Sequence, residues 1–178
     1  MASYFGEIVH PSSRAFWNEI DDDEFPENTP NIEFSLQWSE PEPTAIDKLL
    51  IVESEMLTEY VKASVLQGTK CVCTIVDSSN QECAKIHFDS NDYICTVSKK
   101  VSLGDAGYFT KAIVPLISKT KKLYVFTSNH ISNYKSEDCD SSVLIKSLCS
   151  CEAKKDRDPK ISILDQPNIV SGVGAGGK

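Results

Sequence analysis

The rhythm of hydrophobic and polar positions changes abruptly at Ile32. Before it, residues 10 to 31 carry Asp21, Asp22, Asp23 and Glu24, then Pro26 and Pro30, with few apolar side chains. That stretch predicts a solvated, flexible acidic arm. From Ile32 to Trp38 apolar and polar residues alternate, the period of a half-buried strand. A loop with Pro41 and Pro43 leads to Leu49, Leu50, Ile51 and Val52, an unbroken apolar run that predicts a strand buried on both faces. Ser54 is placed to cap a helix and Glu55 suits its positive end. Leu57, Tyr60, Val61 and Val65 share one helical face, and Gly68 predicts the stop. Residues 70 to 76 predict the next strand, so strand, helix and strand form an α/β unit.

An antiparallel pair follows. Ala84, Ile86 and Phe88 alternate with Lys85 and His87, and a turn at 89 to 91 leads into a strand over 93 to 97. Phe109, Ala112, Ile113, Leu116 and Ile117 form a helical stripe in which Pro115 predicts a kink or an early end. Residues 123 to 127 predict a further buried strand, 128 to 140 a polar loop, 142 to 148 a short helix and 161 to 164 a last strand. The fold class is therefore α/β: a layered sheet flanked by helices, with mixed parallel and antiparallel strands, incomplete at its C-terminal end. The domain division is an arm over 1–31, an α/β domain over 32–170 and a glycine-rich, flexible tail over 171–178.

Composition narrows the function. The chain has 178 residues, 40% of them apolar, and a net charge of -8, which disfavours general binding to phosphate backbones. It contains no apolar run of the ~18 residues that a membrane span needs. The N-terminus lacks a signal core, so a cytoplasmic protein with reduced thiols is expected, and an odd count of seven cysteines agrees.

Candidate chemistry is sparse. Residues 172 to 178 match the G-x-x-x-x-G-K start of a phosphate-binding loop, but no Ser or Thr follows and no helix is expected there. Cys71 and Cys73, with Cys149 and Cys151, place pairs of thiols on common faces, yet the C-x-C spacing strains a tetrahedral zinc site. His10, His87 and His130 stand outside any metal-binding or nucleophile motif; His87 is expected to face solvent, and His130 lies in a loop after a strand. Neither catalytic residues, nor a metal site, nor a cofactor site is predicted.

Three segments add a resemblance. Tyr4-Phe5-Gly6-Glu7-Ile8-Val9 with Ser13, Arg14 and Ala15, then residues 123 to 135 including His130 and Tyr134, then Ile163-Leu164-Asp165-Gln166-Pro167-Asn168-Ile169-Val170 occur in that order. Together they resemble the proteasome assembly chaperone 1 family. The resemblance implies a non-enzymatic α/β chaperone that heterodimerises with proteasome assembly chaperone 2. The pair would bind α-type subunits of the 20S core particle, support α-ring formation and prevent aberrant α-ring dimerisation, without a cofactor. It would act in the cytoplasm, with the nucleus or the surface of the endoplasmic reticulum as further sites. Phe5, Gly6, Glu7, His130, Tyr134, Gln166, Pro167 and Asn168 are the partner-binding candidates that it implies. Family members continue past the last motif into further elements and a tail of hydrophobic–Tyr–X type that enters α-ring pockets. This chain ends Ala175-Gly176-Gly177-Lys178 and resembles a C-terminally truncated member. The alternatives are a small cytosolic α/β enzyme of nucleoside-processing or hydrolase type with His130 in its site, and a regulatory adaptor that uses the acidic arm.

The thiol reading has a direct check. Native alkylation followed by mass spectrometry should find all seven cysteines as thiols and no stoichiometric zinc, whereas a zinc ion that survives dialysis refutes it.

Overall fold

The computed structural model describes residues 32–90, 92–98, 101–135, 143–150 and 158–176. The chain divides into two units, Met1–Asn31 and Ile32–Lys178, and every described residue lies in the second. The arm, and with it His10, Phe5, Gly6 and Glu7, lies outside the described residues. In chain order the elements are β1 (Ser35–Trp38), β2 (Ile46–Val52), α1 (Glu55–Ser64), β3 (Lys70–Val76), β4 (Glu82–Asp89), β5 (Asp92–Val97), α2 (Ala106–Ser118) and β6 (Thr120–Phe126). A 3-10 turn at Ile131–Asn133, β7 (Lys146–Ser147), β8 (Ser162–Ile163) and α3 (Val173–Gly176) complete them.

The first six strands form one sheet in the order β1-β3-β4-β5-β2-β6. From β1 to β5 each neighbouring pair is antiparallel, while β2 runs parallel to both β5 and β6. The expected mixed α/β sheet is therefore what the chain forms. Strand alternation divides the core. Leu49, Ile51, Cys95 and Val97 meet Phe109, Ile113 and Leu116 of α2, and Val52 and Ile94 meet Val61 and the nearby Leu66 of α1. Successive side chains on a strand point to opposite faces, so the two helices cover opposite sides of β2 and β5. Phe109 is the deepest aromatic, packed edge-on against Phe34 with ring centroids 5.4 Å apart.

The helix signals act as the sequence anticipates. Ser54 Oγ accepts from Leu57 N at 3.2 Å, and Gly68 adopts φ +81 in the turn beyond α1. The buried line of α1 differs, however: Tyr60 and Val65 are exposed, and Thr58 and Val61 face the sheet. A helix of three turns can present only a narrow stripe to β2, and Leu66, just past its end, fills the space that Val65 was expected to fill. Pro115 lies inside α2 and the helix continues to Ser118. The proline is exposed, so the carbonyl of Lys111 that loses its partner can be hydrated.

Three further expectations are corrected. β6 forms a sheet edge, with Tyr124 and Phe126 exposed on the α1 side, because α1 reaches only as far as β2 and β5. The helix expected at 142–148 is absent from the described residues 143–148. Val143, Ile145 and Leu148 bury no common face, and Lys146 and Ser147 instead pair in parallel with Ser162 and Ile163. Residues 136–142 lie outside the described residues. Finally, the glycine-rich segment expected to be flexible and non-helical contains α3, which packs on α2 and β6 and buries Val173 to 2% exposure. Tertiary contact outweighs the poor helix propensity of glycine over one turn.

Because Phe109 anchors both α2 and β1, Phe109→Ala should lower unfolding free energy by about 3–5 kcal/mol. Urea denaturation of the two proteins measures the difference.

Candidate functional site

The parallel strands create one distinctive place. β2 delivers the chain to α1 on one face of the sheet, and its neighbour β5 delivers it to α2 on the other. Connections that diverge from adjacent parallel strands leave a crevice at the carboxyl ends, where open α/β sheets commonly bind ligands. A cleft of about 200 Å³ lies there. Its walls come from residues 53–55 after β2, 97 at the end of β5, 98 and 101–103 beyond it, 127–129 after β6, and Ser171 with Gly172. The lining is mostly hydroxyls and two carboxylates, Glu53 and Glu55. The hydroxyls can both donate and accept hydrogen bonds, while the two ionised carboxylates only accept and repel an anion.

The glycine-rich segment borders this cleft but is arranged unlike a phosphate loop. The Glu53 carboxylate already occupies the amides, accepting from Val173 N at 2.6 Å and Gly174 N at 3.2 Å. An internal anion thus stands where a phosphate would have to sit.

The candidate partner-binding residues after β6 gather in a second place. Tyr134 Oη donates to Asp165 Oδ2 at 3.0 Å, and Lys146 Nζ donates to the same oxygen at 3.0 Å. The Lys146 ammonium also lies 5.5 Å from the centre of the Tyr134 ring. Hydrogen bonds from Lys146 and Tyr134 hold the Asp165 carboxyl below its ordinary value, and the bond to Asp165 raises that of Lys146. Asn168 clamps the neighbouring backbone from both sides: Lys135 N donates to its Oδ1 at 2.6 Å, and its Nδ2 donates to Lys135 O at 2.9 Å. That amide imitates a strand pair, so the segments 129–135 and 163–170 form one braced unit. Asp165, which joins the two, carries no sign of that role in the sequence, since only the fold reveals that it faces Tyr134 and Lys146.

The candidates therefore sort by position. Tyr134 and Asn168 are half-buried and brace the loops, while Gln166 and Pro167 are exposed across a cis peptide bond. His130 is exposed and its Nδ1 lies 2.8 Å from Ser132 Oγ and accepts from Ser132 N, so the ring caps the short 3-10 turn. Around the brace, Leu148, Ile163 and Ile169 are exposed, Ile169 to 84%.

The cysteine geometry is also corrected. A β-bulge between Cys71 and Cys73 pairs Cys71 with His87 but Cys73 with Ile86, which puts the two thiols on opposite faces. Burial pushes the Cys73 and Cys95 thiols up to about 12, so both stay protonated and unreactive. Cys151 lies outside the described residues, and among the described residues no cluster of His, Cys, Asp and Glu could hold a metal ion. His87 is half-buried rather than fully solvated, with Nδ1 3.3 Å from Thr69 Oγ1. Desolvation, then the Lys85 and Lys62 charges, lower its pKa from 6.5.

Among the described residues no helix is long and apolar enough to cross a membrane. Comparison with models of known protein families and with characterised proteins finds no match.

Two outcomes follow from these contacts. A histidine harder to protonate when folded makes the unfolded state bind more protons between its lowered pKa and 6.5, so stability falls as pH drops through that window. Urea midpoints at pH 7.5, 6.0 and 5.0 should show this fall, and His87→Gln should flatten it. Loss of the Asp165 charge acts only at lower pH, below its ordinary 3.8.

Proposed function

We propose that this chain is an assembly-chaperone subunit of the proteasome assembly chaperone 1 type. It pairs with proteasome assembly chaperone 2, binds α-type subunits of the 20S core particle, supports α-ring formation and opposes aberrant ring dimerisation. The observation that carries this reading is the brace. The two later segments of the resemblance lie some thirty positions apart, yet Tyr134–Asp165 and Lys135–Asn168 join them into one unit. Segments that serve one binding surface are expected to be neighbours, and these two are.

The surroundings support protein binding over chemistry on a small molecule. Gln166, Pro167 and Ile169 are exposed, as are Leu148 and Ile163 at the β7–β8 pair, and exposed aliphatic side chains among polar ones suit a protein partner. Tyr134 and Asn168 act in this reading by holding that surface in shape. Gln166, Pro167 and Ile169 make the contact, and no cofactor is required. The protein works in the cytoplasm.

The test is affinity capture of the tagged chain from cells that are assembling proteasomes, followed by peptide identification. α-type subunits and the chaperone partner should be recovered together. Ile163→Glu/Ile169→Glu should reduce that recovery at least tenfold while circular dichroism stays unchanged. Capture without either protein, or recovery untouched by the double substitution, overturns the proposal or its assigned surface respectively.

A further inference from the structure

We propose that residues 171–176 form a strap, caught by Glu53, that opens and closes the crevice at the carboxyl ends of the parallel strands. The catch begins from a fixed point. Glu53 directly follows β2, and its own N–H donates to Phe126 O at 2.9 Å, which ties its backbone to the end of β6. From there the carboxylate takes the successive amides of Val173 and Gly174.

The sequence of the strap is matched to this grip. Gly172 adopts φ +78, a conformation costly for other residues. A Cβ there would also lie 1.9 Å from Glu53 Oε1 and 2.7 Å from its Cδ, so any side chain at this position would push the carboxylate away from the two amides. At Gly174 a Cβ would meet Val170 at 3.2 Å and Val125 at 3.4 Å, a tight approach to β6. Between them Val173 is the plug, buried in the cluster that contains Phe109 and Ile113.

Outside these points the segment is loosely held. Ile169 and Ser171 are exposed, so the strap hangs between two attachments, the Asn168 clamp and the Glu53 catch. One plugged side chain, two amide hydrogen bonds and the single turn of α3 against α2 and β6 are a small hold beside a six-stranded sheet. Segments with few buried contacts open well below global unfolding. Release withdraws Ser171 and Gly172 from the crevice wall, frees the Glu53 carboxylate and uncovers the socket of Val173. The state of the strap therefore sets the size and the charge of the crevice.

Hydrogen exchange on the full chain, resolved to peptides by mass spectrometry, tests this. In the unmodified protein, residues 171–176 should exchange at least tenfold faster than β3 to β5, yet at least tenfold slower than an unstructured peptide of the same sequence. Glu53→Gln should remove the slowing over 171–176 and leave β3 to β5 unchanged. Gly172→Ala should do the same, and it should have less added effect in the Glu53→Ala background, where the clash is gone. Exchange of the strap at the rate of the sheet core would mean that it opens only with global unfolding, and would overturn the proposal. So would strap exchange indifferent to both single substitutions.

Discussion

Strand β2 must be covered on both faces, and the rest of the fold follows from that requirement. Leu49 and Ile51 point to one side and Val52 to the other, all almost completely buried. A strand with two apolar faces has no stable place at a wet surface, so a helix is needed above and another below. α1 supplies one and α2 the other. Because those helices leave neighbouring strands in opposite directions, the crevice is a by-product of covering β2. Glu53, the first residue beyond the strand, stands at its mouth.

The same requirement explains which parts of the fold are legible in the sequence. Elements whose apolar pattern is satisfied locally declare themselves: the alternation of β1, the capped start of α1 at Ser54, the run of β3 and the β4–β5 hairpin. Elements defined by what lies beside them do not. β6 has the composition of a buried strand, but only its place in the sheet order reveals an edge. Tyr60 and Val61 both fit the helical stripe, and the rotation of α1 against β2 decides which is covered. Pro115 looks like a helix end until its exposure shows that the unpaired carbonyl opposite can reach water.

The candidate site divides in the same manner. The segments that include Tyr134 and Asn168 could be singled out from residue order, yet the Asp165 carboxylate that joins Tyr134 to Lys146 depends on contacts across unrelated positions. Glycines at 172 and 174 suggested looseness, since glycine costs a helix about 1 kcal/mol relative to alanine. That cost counts only the backbone. It omits a carboxylate fixed 120 positions earlier that needs glycine in order to reach the amides. A local rule fails where the compensating group is distant in sequence, and the glutamate alone gives no hint of its role.

The strand order also has a consequence for the birth of the protein. β2 finds its partners far downstream: Lys48 pairs with Asp92 and with Lys122. During synthesis the run 49–52 therefore emerges well before either neighbouring strand exists, and its two helical covers are likewise incomplete until α2 has been made. Sheets built from such distant pairings fold slowly and leave apolar strands uncovered in the interval. The nascent chain consequently carries this apolar run uncovered from the appearance of β2 until β6 closes beside it.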